Sequence, residues 1–491
     1  MRCSNIGRVT SMHTGLAGTL AAFAVAAASG RAALGQADAT RQLERSLRSA
    51  DQSWRLMVDP ELGINERSQI DVGGSFSLFF LNLNDSGGNH RRLLQPEFQL
   101  YGRASVDGVH NFFVRSRFQY RDFSPGDSFD DRGDQWTTPF LDRYVYEYDH
   151  AQSVAAYQGK TIDWNFNLKV GRQFVDWGEG LVLSEALYSV RPTLTLGRWS
   201  FEALAGITPA DRSITDWDAS RAGYNDDTKR GYFGGQVGYR FENATRLYGY
   251  ILHQQDFNDE DDPRSNIGLD DVDFDYTSYY AGVGVNGTIG RNWAYLGEFA
   301  YEFGTSASDP LQGEQEREEI SAYAGRAQLT YLLMDTRQTR FQGEVLFASG
   351  DDDRLASTSG TIAGNRPGTK DNAFNSLGFV NTGLAFAPAL SNLVTFRLGA
   401  STFLFNSVRE FEQLQLGLDF LVHNKFESDG PIEEPTDDSS YLGSEIDVSV
   451  NYRITSDLAA ILRYGAFFPG EAITGETEVR NFVFAGFTLS F

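Results

Sequence analysis

From Gln69 to the last residue, apolar and polar side chains alternate with period two through stretches of ten to fourteen residues. In the final ten residues Phe491, Leu489, Phe487, Ala485 and Val483 form one row, while Ser490, Thr488 and Gly486 form the other. Two-fold alternation with one apolar face is the pattern of a strand lying between lipid and a polar interior. An ordinary half-buried strand gives the same pattern, so the count and connections of the strands must decide.

The connections alternate in length. Asp107-Gly108, Gly159-Lys160, Gly197, Asn243-Ala244, Gly287–Arg291, Asp335-Thr336, Pro388–Ser391 and Ser456-Asp457 read as short turns. Between them lie long connections at 84–90, 122–139, 176–188, 208–228, 258–273, 305–318, 350–372, 406–440 and 470–478. Eight short turns and nine long loops join eighteen strands and leave both ends on the short-turn side. An even-numbered membrane barrel requires that parity, with its ends in the periplasm and its long loops outside. Phe411 to Lys425 also has strand character, but one more strand would break the parity, so it is assigned to an extracellular loop. No fixed period marks a propeller. The predicted fold is all-β, a transmembrane antiparallel barrel over 67–491.

Alternation also assigns faces. Phe112, Val114 and Phe118 oppose Arg115, Arg117, Gln119 and Arg121, and Phe98 and Leu100 oppose Glu97, Gln99 and Arg103. The same reading turns Arg191, Arg230, Arg240, Arg326, Arg340, Arg397, Arg453 and Arg463 inward. A mid-strand arginine facing lipid costs about 2–4 kcal/mol. Ten such placements would exceed the stability of the fold, so the arginines must line the lumen. Inward acids, among them Glu97, Glu147, Glu202, Glu298, Glu302, Glu344, Glu445 and Asp447, are fewer. Guanidinium forks suit a repeating carboxylate polymer. The same groups can instead brace the wall as arginine–glutamate ladders.

The amino end reads as a secretory signal over 1–37: Arg2 and Arg8, an apolar run from Gly15 to Ala28, and small residues at Ala33, Gly35 and Ala37. Residues 38–66 read as a periplasmic lead-in. Within it Leu43, Leu47, Ala50 and Trp54 share a helical face, either as a loose segment or as a helix against the barrel mouth. The only cysteine, Cys3, lies in the signal, so the mature chain carries no thiol chemistry. Losing the three signal arginines takes the net charge from −24 to −27, which argues against nucleic-acid binding. The mean hydropathy of −0.36 is no argument for solubility, because barrel strands hide their apolar residues at every second position.

Two segments are more specific: Gly171-Arg-Gln-Phe-Val-Asp-Trp-Gly-Glu-Gly-Leu-Val-Leu183, and the pair Tyr441-Leu-Gly-Ser-Glu-Ile-Asp-Val-Ser-Val-Asn-Tyr-Arg453 and Leu462-Arg-Tyr-Gly-Ala-Phe-Phe-Pro-Gly470. Both resemble the alginate export family of outer-membrane proteins. The terminal strand, ending on Phe491, resembles the assembly signal of bacterial outer-membrane barrels. The resemblance implies an eighteen-stranded channel for an alginate-like polyuronate, and points to Arg172, Gln173, Glu445, Asp447 and the lumen arginines as its path. Arg172 has the parity of Trp164, Phe166 and Val170, so it reaches the lumen only if a bulge at Gly171 turns it inward. The partners implied are outer-membrane lipid and lipopolysaccharide, the barrel-assembly machinery, an anionic polysaccharide and periplasmic export components.

Acidic loop residues Asp259, Asp261, Asp262, Asp351, Asp352 and Asp353 offer hard oxygen ligands for calcium, without the spaced acids and central glycine of a calcium loop. Solvated surface charge is the plainer reading. The six histidines are scattered, and no nucleophile elbow or phosphate loop is present, so neither catalysis nor a cofactor is expected. The sequence thus points to a channel for an anionic exopolysaccharide or its fragments. The alternatives are a diffusion porin for small solutes and a surface adhesion or scaffold barrel.

Overall fold

The computed structural model describes residues 67–491 except 85, 125–133, 210–229, 258–271, 379 and 476. The expected signal and lead-in, and the loop acids Asp259, Asp261 and Asp262, lie outside the described residues.

Eighteen antiparallel strands form one closed ring. They are β1 (Ser68–Asn84), β2 (His90–Val106), β3 (His110–Phe123), β4 (Gln135–Asp149), β5 (Trp164–Trp177), β6 (Leu183–Leu196), β7 (Trp199–Ile207), β8 (Arg230–Arg240) and β9 (Arg246–Asp256). The second half comprises β10 (Thr277–Ile289), β11 (Trp293–Ala307), β12 (Arg317–Leu332), β13 (Arg340–Ala348), β14 (Leu393–Thr402), β15 (Leu414–Asn424), β16 (Tyr441–Arg453), β17 (Leu458–Pro469) and β18 (Arg480–Ser490). Each strand pairs with its sequence neighbours, and β18 returns to β1 from Ser75↔Ser490 to Leu83↔Phe482. No edge is left unpaired, as lipid demands of a spanning sheet.

The outer face is apolar. Phe76, Leu78, Phe80, Phe98, Leu100, Phe112, Val114, Phe118, Phe487 and Leu489 are exposed in the alternating rows the sequence predicts. Trp164, Trp199 and Trp293 open β5, β7 and β11 at the short-turn end and are 40–48% exposed. A belt of amphipathic rings marks a membrane interface. No helix among the described residues is long and apolar enough to cross a membrane; the strands cross it. The short-turn end, periplasmic in such barrels, carries the helix α1 (His150–Gln158). Asp149 caps it by accepting from the Gln152 amide at 3.0 Å, and Gly159 ends it at φ 63°.

Two predicted segments exchange roles. Residues 411–425, expected in a loop, contain β15, whose Phe420 and Leu418 face outward while Leu421 and His423 are buried inside. Residues 373–391, expected as a strand ending in the turn Pro388–Ser391, instead belong to a loop folded into the barrel. The two errors offset each other, so the count of eighteen survives while the direction of β14 is reversed. The cause is physical: both segments are apolar enough for a strand, and the lumen offers a loop a buried environment that period-two counting cannot tell from lipid.

Gly171 sits at φ +136°, where an added Cβ would lie 2.1 Å from the Tyr144 carbonyl. Gly171→Ala is therefore expected to cost about 1–3 kcal/mol. A lower temperature for loss of the compact, heat-modifiable form on denaturing gels is the check.

Candidate functional site

The lumen is built from the inward rows and from two loops that enter it. The first is the β5–β6 connection. Val175, Trp177, Leu181, Val182, Leu183 and Leu187 are wholly buried there. The Glu179 amide donates to Glu298 Oε2 at 3.2 Å and the Gly178 amide to Gln236 Oε1 at 3.1 Å, which ties this turn to the opposing wall of β8 and β11. Gly178 carries φ +64°, and a Cβ there would lie 2.2 Å from Glu298 Oε1, so the first motif needs glycine at this turn.

The second loop joins β13 to β14. Its outer part is fixed by Arg354, whose guanidinium donates twice to Asp371 (3.1 and 2.6 Å). Further in, Leu377 and Gly378 pair in parallel with Leu183 and Ser184, and the Leu377 amide donates to the Val182 carbonyl at 2.7 Å. Glu302 accepts from the Asn375 amide at 2.8 Å and from the Tyr276 and Tyr280 hydroxyls at 2.6 and 2.8 Å. The tip then reaches the wall of β16, β17 and β18. Leu384 packs with Phe79, Ile461, Phe482 and Phe484, and Phe386 stacks on Phe467 at 4.2 Å and 4°.

Glu445 receives this tip. It accepts from the amides of Leu384 (2.6 Å), Ala385 (2.7 Å) and Phe386 (3.0 Å). Gly465 leaves the space: a Cβ there would lie 2.8 Å from the Leu384 side chain and from Asp447 Oδ1. The second motif thus has a local purpose. Glu445, Gly465 and Phe467 make a socket for the loop, and none of the three is directed at open lumen.

The sequence-selected arginines divide into two groups. Arg115 donates from Nε and Nη2 to Asp142 (3.0 and 2.6 Å), and Arg117 lies 3.0 Å from Asp142 and 3.7 Å from Glu97. Arg191 pairs with Glu202, Arg230 with Asp256 at 3.3 Å, and Arg326 and Arg397 share Glu344. These are the wall-bracing ladders. Arg463 donates to Asn451 Oδ1 at 2.8 Å and to the Val450 carbonyl at 3.3 Å. Arg121 lies on the same inward row near the outer end, and Gln173 is buried, donating to the Ser189 carbonyl at 3.4 Å.

The second group rings the periplasmic mouth: Arg103, Arg240, Arg340 and Arg453, with Arg246, which the sequence reading passed over. Arg246 lies over the Tyr248 ring at 5.0 Å. Arg240 and Arg340 are exposed. Among the described residues, Arg240, Arg246, Arg340 and Arg453 make no ion pair with a carboxylate.

Arg172 does not join the lumen. Its register with Tyr144 and Tyr188 is unbroken, so it stays in the outward row of Val170. The irregularity lies one strand away, where the β3–β4 register slips at Asp142 and carries that acid inward. The β4–β5 pairing ends at Tyr144↔Arg172. Arg172 fills the place beside the slip, only 2% exposed, with its guanidinium 5.6 Å from the Tyr188 ring and 6.0 Å from the Phe140 ring. Aromatic faces and the Leu141 carbonyl, at 3.5 Å, cover it from lipid.

Asp351, Asp352 and Asp353 come together, with carboxylate oxygens within 4.8 Å of one another. Asp351, however, already accepts from the Asp353 and Asn372 amides (2.8 and 2.7 Å). Burial pushes its carboxyl above the usual value, against the pull of those amides. The cluster folds the loop.

A closed ring of eighteen strands, greasy outside and charged within, with loops drawn into its bore, is an outer-membrane channel. The Alginate export family matches residues 149–485, which include both motifs, and the chain belongs to that family. No curated protein sequence matches the chain. Solved structures share the fold. Pseudomonas aeruginosa OccK5 (OpdH) is 13% identical at TM-score 0.51, with 88% of this chain and 100% of that one covered. Acinetobacter baumannii OccAB3 is 10% identical at TM-score 0.53, with 86% and 99% covered.

Proposed function

We propose that this channel passes an anionic carbohydrate, an alginate-like polyuronate or its fragments, outward from the periplasm. The ring of Arg240, Arg246, Arg340 and Arg453 at the periplasmic mouth carries this reading. Among the described residues these guanidinia make no ion pair with a carboxylate, whereas the arginines deeper in the bore are largely spent on the wall. Although Asp71, Glu147 and Asp419 share the inward rows toward this end, guanidinia that make no ion pair among the described residues raise the local concentration of a polyanion. Weak, repeated bidentate contacts let it move on. The net charge of −24 is then carried mainly elsewhere, including the extracellular acids Asp429, Glu433, Asp437 and Asp438.

A second reading, a channel selective for small solutes, is favoured by the two loops in the bore. Planar-bilayer recordings separate them. Anion preference and current block by polyuronate are expected, and Arg240→Ala with Arg340→Ala should move the reversal potential in a salt gradient toward neutrality and weaken the block. Cation preference without block would support the small-solute channel, and a non-conducting barrel would support a scaffold.

A further inference from the structure

We propose that the three amides at the loop tip form a carboxylate receptor, occupied at rest by Glu445, for which carboxylates of the transported uronate compete. The ligand class rests on the transport reading above; the receptor itself rests on geometry.

The amides of Leu384, Ala385 and Phe386 converge on one carboxylate. Successive backbone donors that enclose an anion form a nest. Gly383 precedes them at φ +130°, and a Cβ there would lie 2.8 Å from Glu445 Oε2. The tip is therefore shaped around an acid group and leaves no room for a larger residue at its base.

Like Glu298 and Glu302, which rest on main-chain amides and tyrosine hydroxyls, Glu445 is held differently from the ladder acids of the bore. Asp142, Glu202, Asp256 and Glu344 each face a guanidinium. Glu445 is wholly buried and is bound by neutral amides, and its nearest ionisable base is His423 Nε2 at 3.9 Å. One pleat along the same inward face, Asp447 is 7% exposed, and its Oδ1 has no hydrogen-bond partner. The neighbouring Arg397 is directed at Glu344 and the Asn381 carbonyl (3.2 and 2.7 Å). A buried carboxylate without a counterion, beside a second acid, is a costly occupant. The socket is specific for a carboxylate, yet it holds this one at an electrostatic disadvantage.

The two ends of the loop are unequal. The stretch from Asn375 to Leu377 is fixed by Glu302, two tyrosine hydroxyls and main-chain pairing with β6. The tip has no main-chain pairing with a strand: it is held by Glu445, by the Phe386–Phe467 stack, by Leu384 among Phe79, Ile461, Phe482 and Phe484, and by Arg397 on the Asn381 carbonyl, and of these Glu445 supplies the hydrogen bonds to three successive amides. Exchange of one carboxylate for another would free the tip from the wall while its root stays in place. Each uronate unit carries the group required, so arrival of cargo would itself widen the bore.

An Ala385→Cys variant tests this, because the only native cysteine, Cys3, lies in the expected signal. Labelling by a bulky maleimide should be slow in purified barrels and several-fold faster with an oligouronate. A neutral oligosaccharide of equal length should have no effect. Adding Glu445→Ala should give fast labelling that no longer responds to oligouronate. Labelling unchanged by an oligouronate that nevertheless blocks ion current would overturn the receptor and leave the transport reading intact. No block would instead remove the transport reading. The single-cysteine measurement does not depend on the Glu445 variant assembling.

Discussion

Replacing Asn381–Ala389 with a short Gly-Ser linker is expected to raise single-channel conductance several-fold without dissolving the barrel. The segment crosses the bore, and its apolar side chains, Leu384 and Phe386 foremost, occupy space that water and ions would otherwise fill. The ring of main-chain pairs closes without it: β13 pairs directly with β14, and β14 with β15. Removing the loop returns Glu445 to solvent, where its charge is no longer a burden. Recordings in planar bilayers, with retention of the heat-modifiable form as the folding control, give the answer. Equal conductance would mean that this loop does not set the narrowest section.

Asp142→Ala is expected to be the most damaging single substitution in the wall. Asp142 compensates two buried guanidinia, those of Arg115 and Arg117, at 2.6 and 3.0 Å. Breaking a buried pair by removing one partner costs about 3–5 kcal/mol, because a charge is left without compensation. Here two guanidinia lose the same acid, and of Asp142 and Glu97 Arg117 keeps only the more distant Glu97, at 3.7 Å. Adding Arg115→Ala should recover a large part of the loss, since the residues act as one network. Denaturant unfolding in detergent, followed by tryptophan fluorescence, measures both steps. Additive losses in the double variant would contradict the network.

The barrel itself was legible because lipid imposes a strict rule on every second residue. Phe98, Phe112 and Phe487 face outward as their parity requires. The rule fails where something other than lipid covers an outward residue. Arg172 lies on that face under Tyr188 and Phe140, a shelter that exists only because β4 slips at Asp142. The slip had a sequence trace: unbroken alternation would place Asp142 in the row of Tyr144, Tyr146 and Tyr148, against lipid. The loop at 373–391 left a weaker trace. Its apolar residues fit a strand, and only three-dimensional closure reveals that they fill the interior. For the arginines parity is silent on partners: Arg326 with Glu344 and Arg340 at the open mouth look alike in sequence.

The join between β1 and β18 has a consequence for how the chain must mature. Residues such as Ser77 and Thr488, whose hydroxyls meet at 3.1 Å, are 411 positions apart. Until the final strand arrives, the growing sheet carries two raw borders, and every shorter intermediate is a template for misdirected pairing. Phe491 seals the last of it, exchanging main-chain bonds with Gly74 at 2.9 and 3.0 Å. Extra residues inserted directly after Phe491 would therefore sit at the zipper's end stop, so a label for purification belongs at a surface loop.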